Sequence, residues 1–284
     1  MATRPDTSSQ RSGAPLRWGI VGAGVLVLTL LFFADKTNLE PTKPTQLNAG
    51  EVVSGPSQTT GLPALAPDPQ LDGWISQLSD AKDEEKSRLL DSIVVALQAR
   101  NRFAYAADYA FEAAELDRSF EKRLRAGVLS QQATELSYVA SDTAMASKYG
   151  SRAVELLGPL VESDPNNEEA LLHYGLALVV TGKQPMNGIL TIRKVLELNP
   201  DNVEAGYRLG TFSIQTGQYD KAAQRFLHVL EVAPDHYPAM YQLAVVKSRQ
   251  GDVPGSLQLL EQVVAGSKDS ELTLSAREMI NSIQ

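Results

Sequence analysis

Proline recurs at a near-constant interval in the second half of this chain, and each proline follows a stretch with helical periodicity. The spacings are 35 and 34 residues, between Pro165, Pro200 and Pro234. A repeat of this length holds one pair of helices, and such a pair buries its apolar face only by stacking on the next pair. Residues 166–284 are therefore predicted to form three stacked helix pairs, closed by a C-terminal capping helix.

Small and aromatic residues keep fixed places within these repeats. The second repeat shows the order most fully, with Tyr207, Leu209-Gly210, Gly217, Tyr219, Ala222, Phe226 and Pro234. This order at a 34-residue period resembles the tetratricopeptide repeat (TPR). The resemblance implies an all-α fold, a tetratricopeptide-type α-solenoid of antiparallel helix pairs, and a role in binding other proteins.

Local signals place the helix ends in the three repeats. Asn166 with Glu169, and Asp201 with Glu204, match the capping box, and Asp235 is expected to cap the third repeat. The first helix of each pair should end at a left-handed glycine, namely Gly182, Gly217 and Gly251. Small residues should lie where the paired helices approach closely, namely Gly188, Ala222 and Ser256. A final helix at about 271–283 should cover the last repeat with Leu274, Met279 and Ile283.

Residues 71–165 are predicted to form degenerate N-terminal helical repeats. A short amphipathic helix carries Leu71, Trp74, Ile75 and Leu78 at helical spacing, and Asp80 is expected to cap a helix that ends near Ala99. Further helices are expected at 103–116, 121–140 and 143–161. Gly158-Pro159 should kink or loosen the last of these.

The N-terminal 70 residues differ in composition from the rest. Residues 1–17 are polar with three arginines, and residues 18–34 are a 17-residue run without charge. A cleaved signal, an uncleaved anchor and a buried helix are the alternatives for this run. We favour a single-pass signal anchor, because no small–x–small cleavage site follows and the arginines orient the N-terminus to the cytoplasm. Residues 35–70 carry many Pro, Thr and Ser residues, which predicts a disordered linker.

The layout also resembles bacterial membrane-anchored TPR proteins of the cell envelope. The segments that carry this resemblance are Asp83-Glu84-Glu85-Lys86 and Pro185-Met186-Asn187-Gly188-Ile189. It implies an inner-membrane protein whose C-terminal domain is periplasmic, acting as an envelope scaffold.

Composition disfavours most catalytic and metal chemistry. The chain has no cysteine, and its three histidines, His173, His228 and His236, lie on separate segments without metal-ligand spacing. A net charge of −8 argues against nucleic acid as a partner. We expect no enzyme activity, no cofactor and no metal site.

The candidate site is the concave face, which the first helices of stacked repeats line. The repeat register places eleven residues there as a partner-binding surface: Leu172, His173, Leu176, Tyr207, Arg208, Thr211, Ile214, Tyr241, Gln242, Val245 and Arg249. Tyr207 and Tyr241 are equivalent and should lie side by side, either as groove surface or as packing between repeats. Arg208 and Arg249 should offer charge to a carboxylate of the partner.

These observations predict a membrane-anchored scaffold or adaptor that binds a protein or peptide in its groove. Two alternatives stay open. One is an assembly factor for secretion or cytochrome maturation, and the other is a structural protein that self-associates through its terminal repeats.

Overall fold

In the computed structural model, the described residues are 62 and 65–283. The predicted N-terminal segment (1–17), the anchor (18–34) and the linker as far as residue 61 lie outside them. Within these residues, none of the helices combines the length and apolar character that crossing a membrane requires.

The described part of the chain is all-helical. Its helices are α1 (Pro69–Gln77), α2 (Asp83–Ala99), α3 (Phe103–Leu116), α4 (Phe120–Val139), α5 (Thr143–Ser163), α6 (Glu168–Val180), α7 (Pro185–Leu198), α8 (Val203–Gln215), α9 (Tyr219–Val232), α10 (Tyr237–Arg249), α11 (Val253–Gly266) and α12 (Ser270–Ile283). Each helix packs on the next. The first helices of successive pairs are also in contact: α4 contacts α6, and α8 contacts α10. This is the α-solenoid that the periodic prolines predict.

Glycines set both the turns and the spacing within the pairs. Gly182, Gly217 and Gly251 have φ values of 67°, 70° and 86° directly after the first helix of each pair, as predicted. Gly175 of α6 and Gly188 of α7 face each other so closely that a Cβ on Gly188 would lie 2.4 Å from the carbonyl oxygen of Gly175. Only two glycines permit this approach, which brings α6 and α7 together.

The helix caps lie one residue later than predicted. Asn167, not Asn166, accepts a hydrogen bond from the backbone N–H of Ala170 at 2.9 Å, and Asn202, not Asp201, caps Ala205 at 3.0 Å. In the third repeat the cap is the Nδ1 of His236, not Asp235. The third residue of each helix is then alanine, so no capping box forms. The predicted capping residue instead belongs to a turn, since the N–H of Asn166 is bonded to Asp164.

The helix α5 contains Pro159 and ends at Ser163, two residues beyond the predicted end at residue 161. Two other expectations need correction. Asp80 is not a cap, because α2 begins at Asp83 after Lys82, which makes no side-chain capping bond. In α12 the inner face is Ala276 with Leu272, Met279, Ile280 and Ile283, whereas Leu274 is 58% exposed.

Polar side chains join successive repeats at their turns. The carboxylate of Glu168 accepts hydrogen bonds from Asn199 and Asn202, which lie in the turn of the following repeat, at 2.9 and 3.0 Å. Lys194 donates to the carbonyl of Pro165, and His228, the equivalent residue 34 positions later, contacts that of Pro200. The turn prolines therefore expose carbonyls that the second helix of the next pair uses, which fixes the stacking.

Candidate functional site

Four first helices carry a polar side chain at the same register position, and we call these residues the polar row: Gln131 (α4), His173 (α6), Arg208 (α8) and Gln242 (α10). The repeat register already equated the last three. Gln131 joins them because its Oε1 lies 2.8 Å from the Nδ1 of His173. The first helices of stacked pairs are expected to line the concave side, and the polar row follows these helices.

His173 of this row is partly buried. Burial lowers the pKa of His173 to about 4, because the protein interior disfavours the charged imidazole. The carboxylate of Glu204 opposes this shift, and the guanidinium of Arg208 adds to it. His173 is therefore neutral at neutral pH and contributes a hydrogen bond, not a charge, to the groove.

The guanidinium of Arg208 is held by two carboxylates. Nη1 and Nη2 donate to the two oxygens of Glu135 at 2.9 and 3.2 Å, and Nε donates to Glu204 at 2.6 Å. Burial works against the charge of Arg208, but Glu135 and Glu204 outweigh it and raise the pKa of Arg208. The prediction that Arg208 offers an unpaired charge to a partner's carboxylate needs correction, because two carboxylates of the chain already hold its guanidinium.

Tyr207 packs between two repeats. Its ring centroid lies 5.1 Å from that of His236 and 6.0 Å from that of Phe226. Burial raises the pKa of Tyr207, and the nearby side chains of Gln242 and Thr211 partly oppose this shift. Of the two roles considered for Tyr207, the structure places it in packing between repeats.

Tyr241 lies in a different cluster, against the core of the last three helices. Among the described residues, no ring contact joins it to Tyr207. The side-by-side pair predicted from their 34-residue spacing is therefore not formed by these two rings. Tyr241 remains partly exposed, as are Gln242 and Val245 on the same helix.

The remaining predicted site residues divide by exposure. Leu172 and Leu176 are core residues, 7% and 1% exposed, so neither offers surface to a partner. Thr211 and Ile214 are partly buried on α8, and Thr211 donates to the carbonyl of Tyr207 at 3.1 Å. Arg249 is exposed at the end of α10 and has no ion pair within the described residues. The partly or fully exposed members of the predicted site therefore lie on α8 and α10.

The sequence did not predict that Gln131 and Glu135 contact the site residues. It also did not predict that Glu204 pairs with Arg208. Gln131 and Glu135 belong to α4, whose repeat is degenerate and longer, so no proline or glycine spacing sets its register. Gln131 lies 42 residues before His173, an offset that differs from the 34-residue period. The period therefore gives no signal for Gln131. Glu204 was interpreted as part of a cap, although its carboxylate binds Arg208.

No group of three or more His, Cys, Asp and Glu side chains that could hold a metal ion occurs in residues 65–283. The chemistry of the polar row is hydrogen bonding and ion pairing.

Comparisons with known proteins agree with this architecture. Residues 191–243, from α7 to α10, match the family model described as tetratricopeptide repeat. The structure is similar to TTC0263, a thermophilic TPR protein of Thermus thermophilus, with a TM-score of 0.54 and 15% identity over 69% of this chain and 98% of that one. No match was found among curated proteins.

Two further similar structures are more distant in overall superposition. MamA of Desulfovibrio magneticus RS-1 has a TM-score of 0.48 and 20% identity, covering 67% of this chain and 100% of its own. YrrB, a TPR protein described as having an unusual peptide-binding site, has a TM-score of 0.42 and 22% identity, covering 71% and 97%. The family match places tetratricopeptide repeat sequence in residues 191–243, and the likeness to TTC0263 shows that the described part of the chain has the α-solenoid fold.

Proposed function

We propose that this protein is a membrane-anchored TPR adaptor that binds an extended segment of a partner protein along the concave faces of α8 and α10. The observation that carries the proposal is the set of partly exposed side chains there: Thr211, Ile214, Tyr241, Gln242 and Val245, with the exposed Arg249 at the end. Apolar side chains beside hydrogen-bonding groups suit a peptide whose side chains alternate between the groove and solvent.

The positive charge of Arg249 supports an acidic residue in the bound segment. Arg249 is exposed and has no ion pair within the described residues, so it is available to a carboxylate. Arg208, in contrast, is already paired with Glu135 and Glu204. A bound segment is therefore expected to place an acidic residue at the end of α10, not at the centre of the groove.

The anchoring part of the proposal depends on the sequence of residues 18–34 alone. That run has the composition of a single membrane span, preceded by three arginines. An N-terminus in the cytoplasm would place the solenoid on the envelope side of a bacterial inner membrane, in the periplasm. Fusing alkaline phosphatase after residue 284 tests this orientation, because that enzyme is active only outside the cytoplasm; an inactive fusion would contradict it.

The groove is tested by crosslinking in intact cells from a photoreactive residue at position 245 or 249. We expect a discrete adduct with one partner from these positions and none from position 228, which is exposed on the second helix α9. The partner identified in this way should then bind the purified full-length chain, and Arg249→Glu should weaken that binding.

A control variant separates binding from folding. Gln224→Glu introduces an acidic side chain at an exposed position of α9, away from the first helices. It should leave the affinity unchanged. Equal loss in both variants, or adducts from position 228 as abundant as those from 249, would contradict the groove assignment.

A further inference from the structure

One ion pair joins helices that are two repeats apart. Glu135 is in α4 and Arg208 is in α8, 73 residues later, and two hydrogen bonds of 2.9 and 3.2 Å connect them. Their side chains are 28% and 30% exposed, so this ion pair lies at the surface of the groove and not in the core. It is the longest-range ion pair among the described residues.

The helix between them is α6. It packs against α4, and its Leu171, Leu172 and Leu176 share a core cluster with Ala205 and Leu209 of α8. A bond from α4 to α8 must therefore pass over α6 on the concave side. The α6 residue at the matching register is His173, which contacts Gln131 of α4 and lies within the electrostatic reach of Arg208.

We propose that the Glu135–Arg208 ion pair is a latch that closes the groove over α6 and holds α4 and α8 together. With the latch closed, His173 is covered and the accessible groove is limited to α8 and α10. With the latch open, α4 and α8 separate and the groove extends over α6 to α4. This inference goes beyond the proposed function and does not require that a partner be known.

Gln131, which contacts His173, has an unsatisfied group in the closed state. Its side chain is 1% exposed, and its Nε2 has no hydrogen-bond partner in the described part of the chain. Buried polar atoms without partners favour any rearrangement that lets them bond. Opening would expose the Gln131 amide to water.

Opening requires only that Arg208 exchange Glu135 for water, because Glu204 still accepts from its Nε. Both states are defined without a partner, so failure of the latch would leave the proposed function standing.

The first test measures the distance between α4 and α8 in the full-length chain. Because the chain has no cysteine, Val139→Cys and Gln215→Cys supply single sites for spin labels at the ends of α4 and α8. We expect Glu135→Gln to lengthen the mean label distance or to add a longer component. Glu204→Gln, which removes the other carboxylate from the same guanidinium without crossing between helices, should leave the distance unchanged.

The second test uses His173 as a reporter. Loss of the charge of Glu135 alone would lower or leave unchanged the pKa of a nearby histidine, whereas exposure to water raises it. We expect the pKa of His173, followed by NMR and assigned through His173→Gln, to rise from about 4 toward its ordinary value of about 6.5 in Glu135→Gln. In Glu204→Gln it should fall, because Glu204 favours the charged imidazole.

A test without substitution guards against misfolded variants. At about 1 M salt this partly exposed ion pair is weakened, so the label distances of the parent chain should shift in the same direction as in Glu135→Gln, by a smaller amount. An unchanged label distance in both Glu135→Gln and high salt would overturn the latch, as would a pKa of His173 that does not rise in a folded Glu135→Gln protein.

Discussion

His173 and Gln131 lie 2.8 Å apart at matching positions of two neighbouring first helices, and the imidazole is neutral because it is buried. This pair begins the row that continues through Arg208 to Gln242. A histidine that is neutral when folded but charged when unfolded couples the stability of the solenoid to pH.

The first prediction follows from that coupling. The pKa of His173 is about 4 in the folded chain and about 6.5 in the unfolded chain, so below pH 6.5 the unfolded state binds a proton that the folded state does not. His173 therefore costs no stability above pH 6.5 and destabilises progressively as the pH falls toward 4. Between about pH 7.5 and 5 the free energy of unfolding should fall by about 2 kcal/mol more in the natural chain than in His173→Gln.

Urea unfolding followed by circular dichroism at both pH values measures this difference. Glutamine at position 173 can still bond Gln131 and carries no titrating group, so other acidic and basic residues contribute equally to both proteins. Equal pH dependence of the two chains would mean that His173 has the same pKa in the folded and unfolded states, which would contradict the prediction.

The solenoid could be predicted from sequence because its determinants are local and periodic. Gly182, Gly217 and Gly251 are required by the left-handed backbone that ends each first helix, and this requirement does not depend on distant residues. The boundaries of α3, Phe103–Leu116, follow in the same way from the turn before it and the loss of apolar periodicity after it. Where the backbone conformation at a position requires a particular residue type, the sequence alone is enough to predict that conformation.

The groove could be predicted only in part, because its contacts join residues with no fixed spacing. Equivalence of His173, Arg208 and Gln242 follows from the repeat, but the partner of Arg208 is Glu135, in a helix whose register is shifted. Tyr207 illustrates the same limit, since the repeat period does not reveal that its ring packs against Phe226 and His236. The exposure of a site residue depends on how the helices of several repeats pack around it, which the sequence of one repeat does not reveal.

The second prediction uses two adjacent asparagines. Asn167 caps α6 through the N–H of Ala170, whereas the side chain of Asn166 makes no hydrogen bond within the described residues. Asn167→Ala should lower the free energy of unfolding by about 1 kcal/mol, and Asn166→Ala should change it by less than about 0.5 kcal/mol. Thermal unfolding of both variants measures the two losses of stability. A larger loss in Asn166→Ala than in Asn167→Ala would support the capping box that starts at Asn166.

The third prediction concerns the close approach of α6 and α7. A methyl group on Gly188 would lie 2.4 Å from the carbonyl oxygen of Gly175 and 2.7 Å from Val179, and the backbone atom cannot turn aside. Gly188→Ala should therefore destabilise the chain by about 2–3 kcal/mol. Gly73→Ala is the control: it lies in α1 with nothing within 4 Å of the added carbon, and it should stabilise by about 0.5–1 kcal/mol. Two variants with similar unfolding midpoints would show that α6 and α7 separate at little cost.

The fourth prediction concerns His228, whose pH dependence has the opposite sign to that of His173. Its Nδ1 lies 3.3 Å from Glu231 and its Nε2 lies 3.1 Å from the carbonyl of Pro200, and these contacts, with Asp201, raise the pKa of His228. Since the folded pKa is raised, the stabilisation is fully present below about pH 6.5 and is lost as the pH rises through the folded value.

His228→Gln should therefore be less stable than the natural chain at about pH 6, with a difference that shrinks toward zero by about pH 8.5. The side chain is exposed, so high salt should reduce the difference at the lower pH as well. Thermal unfolding midpoints of the two chains at the two pH values, each with and without added salt, give the comparison. A difference that stays constant with pH would show that His228 joins the repeats through the Pro200 carbonyl alone, as a neutral donor.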